Sequence, residues 1–321
     1  MENRQIKIKR IIETAMMIAL MVILSVINVY LPIGQVILPI PVTVIYIRNG
    51  FKYSLSSIIL TGIITSMIFN PITGLVSILA SVIGLILGYC IKNNIKMSKT
   101  LVFLGIGFII IFTASFLLAA FLINGKDLFT MVDEIFKPLR DSLDTYKAVM
   151  PNEETAVLIN QYKEVLKTEN VLKMLPGVLI SSSFILGYID YIVTVYILKK
   201  LRYKNIKEAK SFSYIHINIK VGTIIGICLL LGSVLERFNI SLGEYIFIGS
   251  LSILQFIFII NGIACFVYYA KNKFKMSKGI MIFILIITLF SPISMIYIFT
   301  GLIDMVFDFR KLDSFRSYKK R

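Results

Sequence analysis

The chain is poor in the residues from which metal and covalent-catalysis centres are usually assembled. It has three cysteines and one histidine among 321 residues. Cys90, Cys228 and Cys265 lie within or at the ends of hydrophobic runs and show no CxxC or Cys/His spacing, so they read as buried small residues. His216, between Ile215 and Ile217 in an inner connector, offers no metal set and reads as structural. HExxH, GxSxG, a Walker A sequence and a GxGxxG following a strand are all absent. The chain is therefore expected not to be an enzyme, with no catalytic residue, no metal and no cofactor assigned. It also has no P-loop route to ATP hydrolysis, so active transport would need an ATPase partner or an ion gradient.

Acidic residues are scarce as well, 18 against 34 Lys and Arg, which leaves a net charge of +16. Their distribution argues against nucleic acid as the partner, because 26 of the 34 basic residues fall in short segments between apolar runs or at the termini. The composition is 57% hydrophobic with a mean hydropathy of +0.84, and the apolar runs are long enough to cross about 30 Å of hydrocarbon. The lipid bilayer is thus the first partner. The positive-inside rule places both termini in the cytoplasm of a multi-pass protein of the cell membrane. The first run lacks a small-residue cleavage site after a short apolar core, which makes it a retained anchor rather than a signal peptide.

An all-α, polytopic architecture follows, with at least eight spans, a C-terminal broken helix or hairpin, and one extracytoplasmic amphipathic helical insert. Spans are expected at Ile11–Leu31, Val36–Ile47, Ser54–Phe69, Ile72–Ile91, Thr100–Ile123, Pro176–Leu198, Val221–Leu235 and Tyr245–Ala270. Pro39 and Pro41 make the second of these a bent or partly unwound helix shielded by its neighbours. Gly74, Gly84 and Gly88, with Ser77 and Ser81, let the fourth approach other backbones closely. Near the start of the chain, Glu13 is expected to snorkel or to pair with Arg10. Gly279–Phe309 would measure about 46 Å as one straight helix, and Ser291-Pro292 splits it. The basic tail beyond it favours a bent hairpin with both ends inside, with a single kinked span as the competitor.

Only one long polar stretch interrupts this pattern, Asn124–Asn170, and it holds nine of the eighteen acidic residues. Leu128, Phe129, Val132, Ile135, Phe136, Leu139 and Leu143 recur at helical spacing, and Val157, Leu158, Tyr162, Val165 and Leu166 do so beyond Pro151. Two amphipathic helices result, either a hairpin lying on the membrane or bundle or a lid over an outer cavity. The chain accordingly divides into a five-span module over 1–123, the outer insert over 124–170, and C-terminal membrane helices with a basic tail over 171–321.

Candidate functional residues come from three patterns. Asn28, Tyr30, Gln35, Asn70 and Thr73 flank Pro/Gly loops on the outer side and are candidate substrate contacts, each with loop capping as its plainer role. Asp190, deep in the sixth span, is the sharpest intramembrane carboxylate. It would need a partner, a neighbouring tyrosine or a basic group such as Arg48, or else serve substrate or proton coupling. Asp304 and Asp308 share one helical face, and Arg310 could neutralise one of them, forming an inner charge cluster.

Ala15 and Ala19 form an AxxxA face on the first span, where another helix could approach closely. With the Pro-bearing outer loop, the short second span and the Gly-rich fourth, residues 11 to 125 resemble the membrane-embedded S components of energy-coupling-factor transporters. That resemblance implies a small polar metabolite held near the outer loops and a transmembrane coupling subunit, with its ATPases, docked on the alanine face. An S component has about six spans, fewer than expected here. The terminal DxxxDFR of Asp304, Asp308, Phe309 and Arg310, together with the span plan, resembles the YybS-like membrane proteins of Gram-positive bacteria, a functionally uncharacterised family. The expected function is a substrate-binding or permease-like membrane protein, with a non-transporting scaffold for cell-envelope processes as the alternative.

Overall fold

The computed structural model describes residues 2–31, 34–120, 125, 127–149, 153–203, 206 and 211–312. Every regular element among them is helical, and seven helices are long and apolar enough to cross a membrane. The chain is a polytopic helical membrane protein. It forms two compact units that alternate along the sequence, the first from Met1–Lys163 and Ser182–Ala209, the second from Glu164–Ser181 and Lys210–Arg321.

The first unit begins with α1 (Glu2–Tyr30), the single-turn α2 (Gly34–Ile37) and α3 (Pro39–Asn49). The expected interruption of the second span comes down to Leu38, between α2 and α3, which keeps helical dihedrals (φ −56°, ψ −37°), and α3 beyond it is regular. Pro39 and Pro41 both sit in the first turn, where backbone N–H groups have no helical acceptor, so neither removes a hydrogen bond. At 11 residues, about 16 Å, α3 is too short to cross a bilayer, yet Pro39 through Ile45 are all buried. With α2 it runs back alongside α1, from Gly34 against Asn28 to Asn49, whose side-chain amide donates to the Thr14 hydroxyl at 3.2 Å, so the segment is the shielded return that the sequence leads one to expect.

Gly50 then takes φ +90°, ψ 177°, a conformation that glycine alone adopts without strain, and turns the chain into α4 (Phe51–Ile68). Asn70 caps α5 (Pro71–Lys92), whose glycines receive the neighbouring helices. A Cβ on Gly84 would overlap the Pro39 carbonyl, and one on Gly88 would come within 2.7 Å of Tyr46 Cβ. The hydroxyl of Thr43 donates to the Gly84 carbonyl at 3.0 Å across this close approach. Met21, Leu38, Val42, Ile45, Ile58 and Ala80 form one buried core here. A second core joins Ile83 and Leu87 to Leu104 and Phe108 of α6 (Met97–Leu118) and to Tyr191 and Val195.

The two amphipathic helices expected in the polar stretch are present as α7 (Leu128–Val149) and α8 (Glu153–Val165). Lys163 pairs with Asp144, and Lys147 donates to Asn160 at 3.1 Å, so the two helices are tied to each other. The next helix, α9 (Thr168–Lys200), starts eight residues before the sequence-based boundary and carries Pro176 inside it. Its earlier part belongs to the second unit and its later part to the first.

In the second unit a 3-10 turn, Phe212–Tyr214, precedes α10 (Ile219–Arg237) and α11 (Ser241–Asn272). These two form a tight hairpin in which a Cβ on Gly232 would lie 2.6 Å from the Phe247 amide. Lys173 closes on Glu244 at 2.6 Å. The C-terminal run is α12 (Lys278–Leu289), a break with one 3-10 turn at Pro292–Ser294, and α13 (Met295–Phe307). Its course corrects the hairpin expectation. The Phe266 and Tyr297 rings meet at 6.0 Å, Gly262 lies against the Tyr297 backbone, and Gly301 against the Phe258 carbonyl. Partners fall along α11 as numbers rise along α13, so α13 runs antiparallel to α11. A hairpin with both ends on one side would bring it back parallel. The run is therefore a broken helix, and a 2.7 Å hydrogen bond between Thr288 and Tyr297 hydroxyls spans the break.

Candidate functional site

The most completely built polar constellation lies in the second unit and grows from the end of α13. Asp308 adopts a left-handed conformation (φ 49°, ψ 54°), tolerable for aspartate, and stops the helix with its N–H on the Asp304 carbonyl. Its carboxylate accepts from the Leu312 amide at 2.8 Å. The turn sends Arg310 back over the last helical turn, where Nε and Nη2 donate to Asp304 Oδ2 at 3.0 and 2.7 Å. Both side chains of this pair are fully buried. Within DxxxDFR, then, Asp304 and Arg310 form the ion pair and Asp308 makes the turn that allows it.

Arg310 has a second task. Its Nη1 donates to the carbonyls of Ser213 and Ile215, both at 2.9 Å. Asn261, in the later half of α11, accepts the Ile217 N–H on Oδ1 at 3.1 Å. The non-helical stretch before α10 thus has three backbone groups satisfied by side chains, and Asn261 lies inside a candidate span. Irregular backbone at membrane depth is tolerated only where protein groups replace water in this way.

The site is not fully paired within itself. Asp304 Oδ1, Asn261 Nδ2 and both ring nitrogens of His216 are buried without hydrogen-bond partners. His216 Nδ1 stands 3.8 Å from Asp304 Oδ2, close enough for electrostatic interaction but too far for a direct hydrogen bond. The arrangement offers donors and an acceptor around a neutralised ion pair, beside an imidazole. Sequence reasoning missed His216 and Asn261 as members, because the residues are distant in sequence and only the return of Arg310 gathers them.

Among the other sequence candidates, Asp190 is fully buried, as a deep intramembrane residue should be. Its Oδ1 receives the Thr194 hydroxyl at 3.4 Å and its Oδ2 has no partner. Arg48 is not its counter-charge: it faces Glu13 at 3.6 Å and contacts the Tyr203 hydroxyl. Glu13, expected to snorkel or to pair with Arg10, thus has Arg48 as its neighbour. Asn70 and Thr73 act on one another, with Asn70 Oδ1 accepting the Thr73 N–H at 2.8 Å and its hydroxyl at 3.0 Å, an N-cap for α5. Asn28 lies half-buried beside Gly34 with Oδ1 unpartnered, Tyr30 is largely exposed, and the Gln35 side chain lies outside the described residues. These loop residues and Asp190 belong to the first unit and the Arg310 constellation to the second. Ala15 and Ala19 are exposed, whereas Thr14, Met21 and Ser25 form the buried face of α1.

The class these features define is a multi-pass helical membrane protein with ionisable groups buried in its helical units. Residues 19–305 match the DUF2232 family, described as "Predicted membrane protein", and the chain belongs to that family. No curated protein and no solved structure matches it.

Proposed function

We propose that the chain is a substrate-binding or permease-like protein for a small polar metabolite, not an enzyme, with its N-terminus on the cytoplasmic side as its basic segments favour. The observation that carries this reading is the set of incompletely paired buried groups, Asp304 Oδ1, His216 and Asn261 Nδ2, joined by Asp190 Oδ2 in the first unit. Buried polar atoms are expensive to leave unmatched, and intramembrane ionisable residues concentrate on substrate and ion pathways. The S-component likeness supplies a coupling scheme in which a partner subunit with ATPases docks on Ala15 and Ala19. Exposure of both alanines supports that face as available.

The test is gentle purification from the native membrane, followed by mass spectrometry of retained small molecules and co-purifying proteins. A bound polar metabolite, lost in His216→Ala with folding intact, supports the reading. A coupling subunit that dissociates when Ala15→Leu and Ala19→Leu are combined supports its coupling scheme. Recovery of envelope-assembly proteins with no small molecule overturns it in favour of a scaffold, the second reading, which the exposed amphipathic pair α7–α8 favours.

A further inference from the structure

Beyond the transport reading, the polar insert carries an inference of its own. Helix α7 exposes Ile135, Leu139 and Tyr146 at 55%, 54% and 53%, and α8 exposes Val157, Leu158 and Tyr162 at 57%, 54% and 62%. The α7 trio falls on one stripe of a 3.6-residue period. Neither helix can cross a bilayer, since α7 alone carries Asp133, Glu134, Lys137, Arg140, Asp141, Asp144 and Lys147. Part of this charge is spent within the insert, in the Arg140–Asp133 pair at 2.5 Å and the Lys163–Asp144 pair linking the helices.

What covers the stripe follows from where the insert is attached. It is strung between α6 and α9, both candidate spans, with only Leu166 and Lys167 between α8 and α9. Both ends are therefore tethered to spans of one bilayer, whose surface is continuous with the lipid-facing surfaces of those helices. A charged helix with an unpartnered apolar stripe, tethered there, lies in the interfacial plane with that stripe turned to the acyl chains. Tyr146 and Tyr162 are the residue type that settles at headgroup level. We infer that α7 and α8 form a lipid-surface docking hairpin, resting on the membrane that α6 and α9 span.

The absence of tryptophan from the chain makes the test clean. Leu139→Trp, Tyr146→Trp and Ala148→Trp are made singly in the full chain and reconstituted into phosphatidylcholine vesicles brominated at acyl positions 6 and 7 or 11 and 12. Ala148 lies on the face opposite Leu139 by helical period. Tryptophan at 139 and 146 should emit to the blue and be quenched severalfold more than at 148. The shallower bromines should quench more, because interfacial helices bury their apolar face by only about 5–10 Å. Quenching at 139 and 146 no greater than at 148 overturns the inference. So does a blue shift without quenching, which would mean that a second copy or another protein covers the stripe. Should Leu139→Trp misfold, the aromatic exchange at Tyr146 still decides the outcome.

Discussion

Replacing Arg310 by Met should be among the most damaging single changes outside the glycine contacts. Methionine keeps much of the apolar stem but removes the four hydrogen bonds that Arg310 donates among the described residues, two to Asp304 and one each to the Ser213 and Ile215 carbonyls. Stranding one partner of a buried ion pair costs about 3–5 kcal/mol. Each buried carbonyl left without its donor adds about 1–3 kcal/mol, less if the stretch before α10 relaxes. A total of about 5 kcal/mol would exceed a third of the stability of many proteins and lower the melting temperature by roughly 10 °C or more. The assay is thermal or denaturant unfolding of the purified protein in mild detergent, compared with Asp304→Asn and with the double replacement. The double variant should recover part of the loss, because it leaves no stranded carboxylate while both carbonyls remain unserved. Arg310→Met as stable as the parent, or a double variant no better than Arg310→Met, would refute the assignment of Arg310 as the clamp of this constellation.

Two further outcomes are expected. Asn70→Ala removes the cap of α5 and should cost about 1 kcal/mol, with Asn70→Asp or Asn70→Ser close to neutral, as read by unfolding in detergent; a loss confined to ligand binding would instead assign Asn70 to substrate. Asp127 accepts from the amide and hydroxyl of Thr130, and these hydrogen bonds hold its carboxyl below its ordinary value of 3.8. Because the folded value is the lower one, its contribution to α7 is complete above about pH 4–5 and is lost as pH falls through the depressed value. Amide exchange at Thr130 and Met131 should therefore quicken, relative to the rest of α7, only below about pH 4, and Asp127→Ala should show that behaviour at neutral pH.

Much of the architecture is present in local sequence. Runs such as those of α5, α6 and α10 have no alternative to a lipid-facing helix, since only an intra-segment hydrogen-bond ladder satisfies a backbone in hydrocarbon. Breaks announced by Asn70-Pro71 and Ser291-Pro292 occur where written, because the residue before proline resists the helical region. Apolar recurrence at 3.6 residues likewise marked both α7 and α8. Local rules were weaker at Pro39, Pro41 and Pro176, since the cost of a proline depends on whether it falls in a first turn or farther in, and that register is set by packing.

Tertiary structure alone decided which polar residues meet. Asp304 and Arg310 are six residues apart, and any helical continuation past Asp308 would have turned Arg310 away from Asp304; the left-handed turn reverses it. His216 and Asn261 enter the same constellation from a connector and from a helix, with no sequence spacing to link them. The direction of α13 was equally invisible, because hairpin and broken helix have the same composition and differ in whether α13 runs parallel or antiparallel to α11. Sequence determined that this chain lives in a membrane and where most of its helices run, since hydrophobicity and backbone hydrogen bonding act locally. Long-range packing decided the buried charge network, since a carboxylate's partner at membrane depth is whichever group the fold brings within 3 Å.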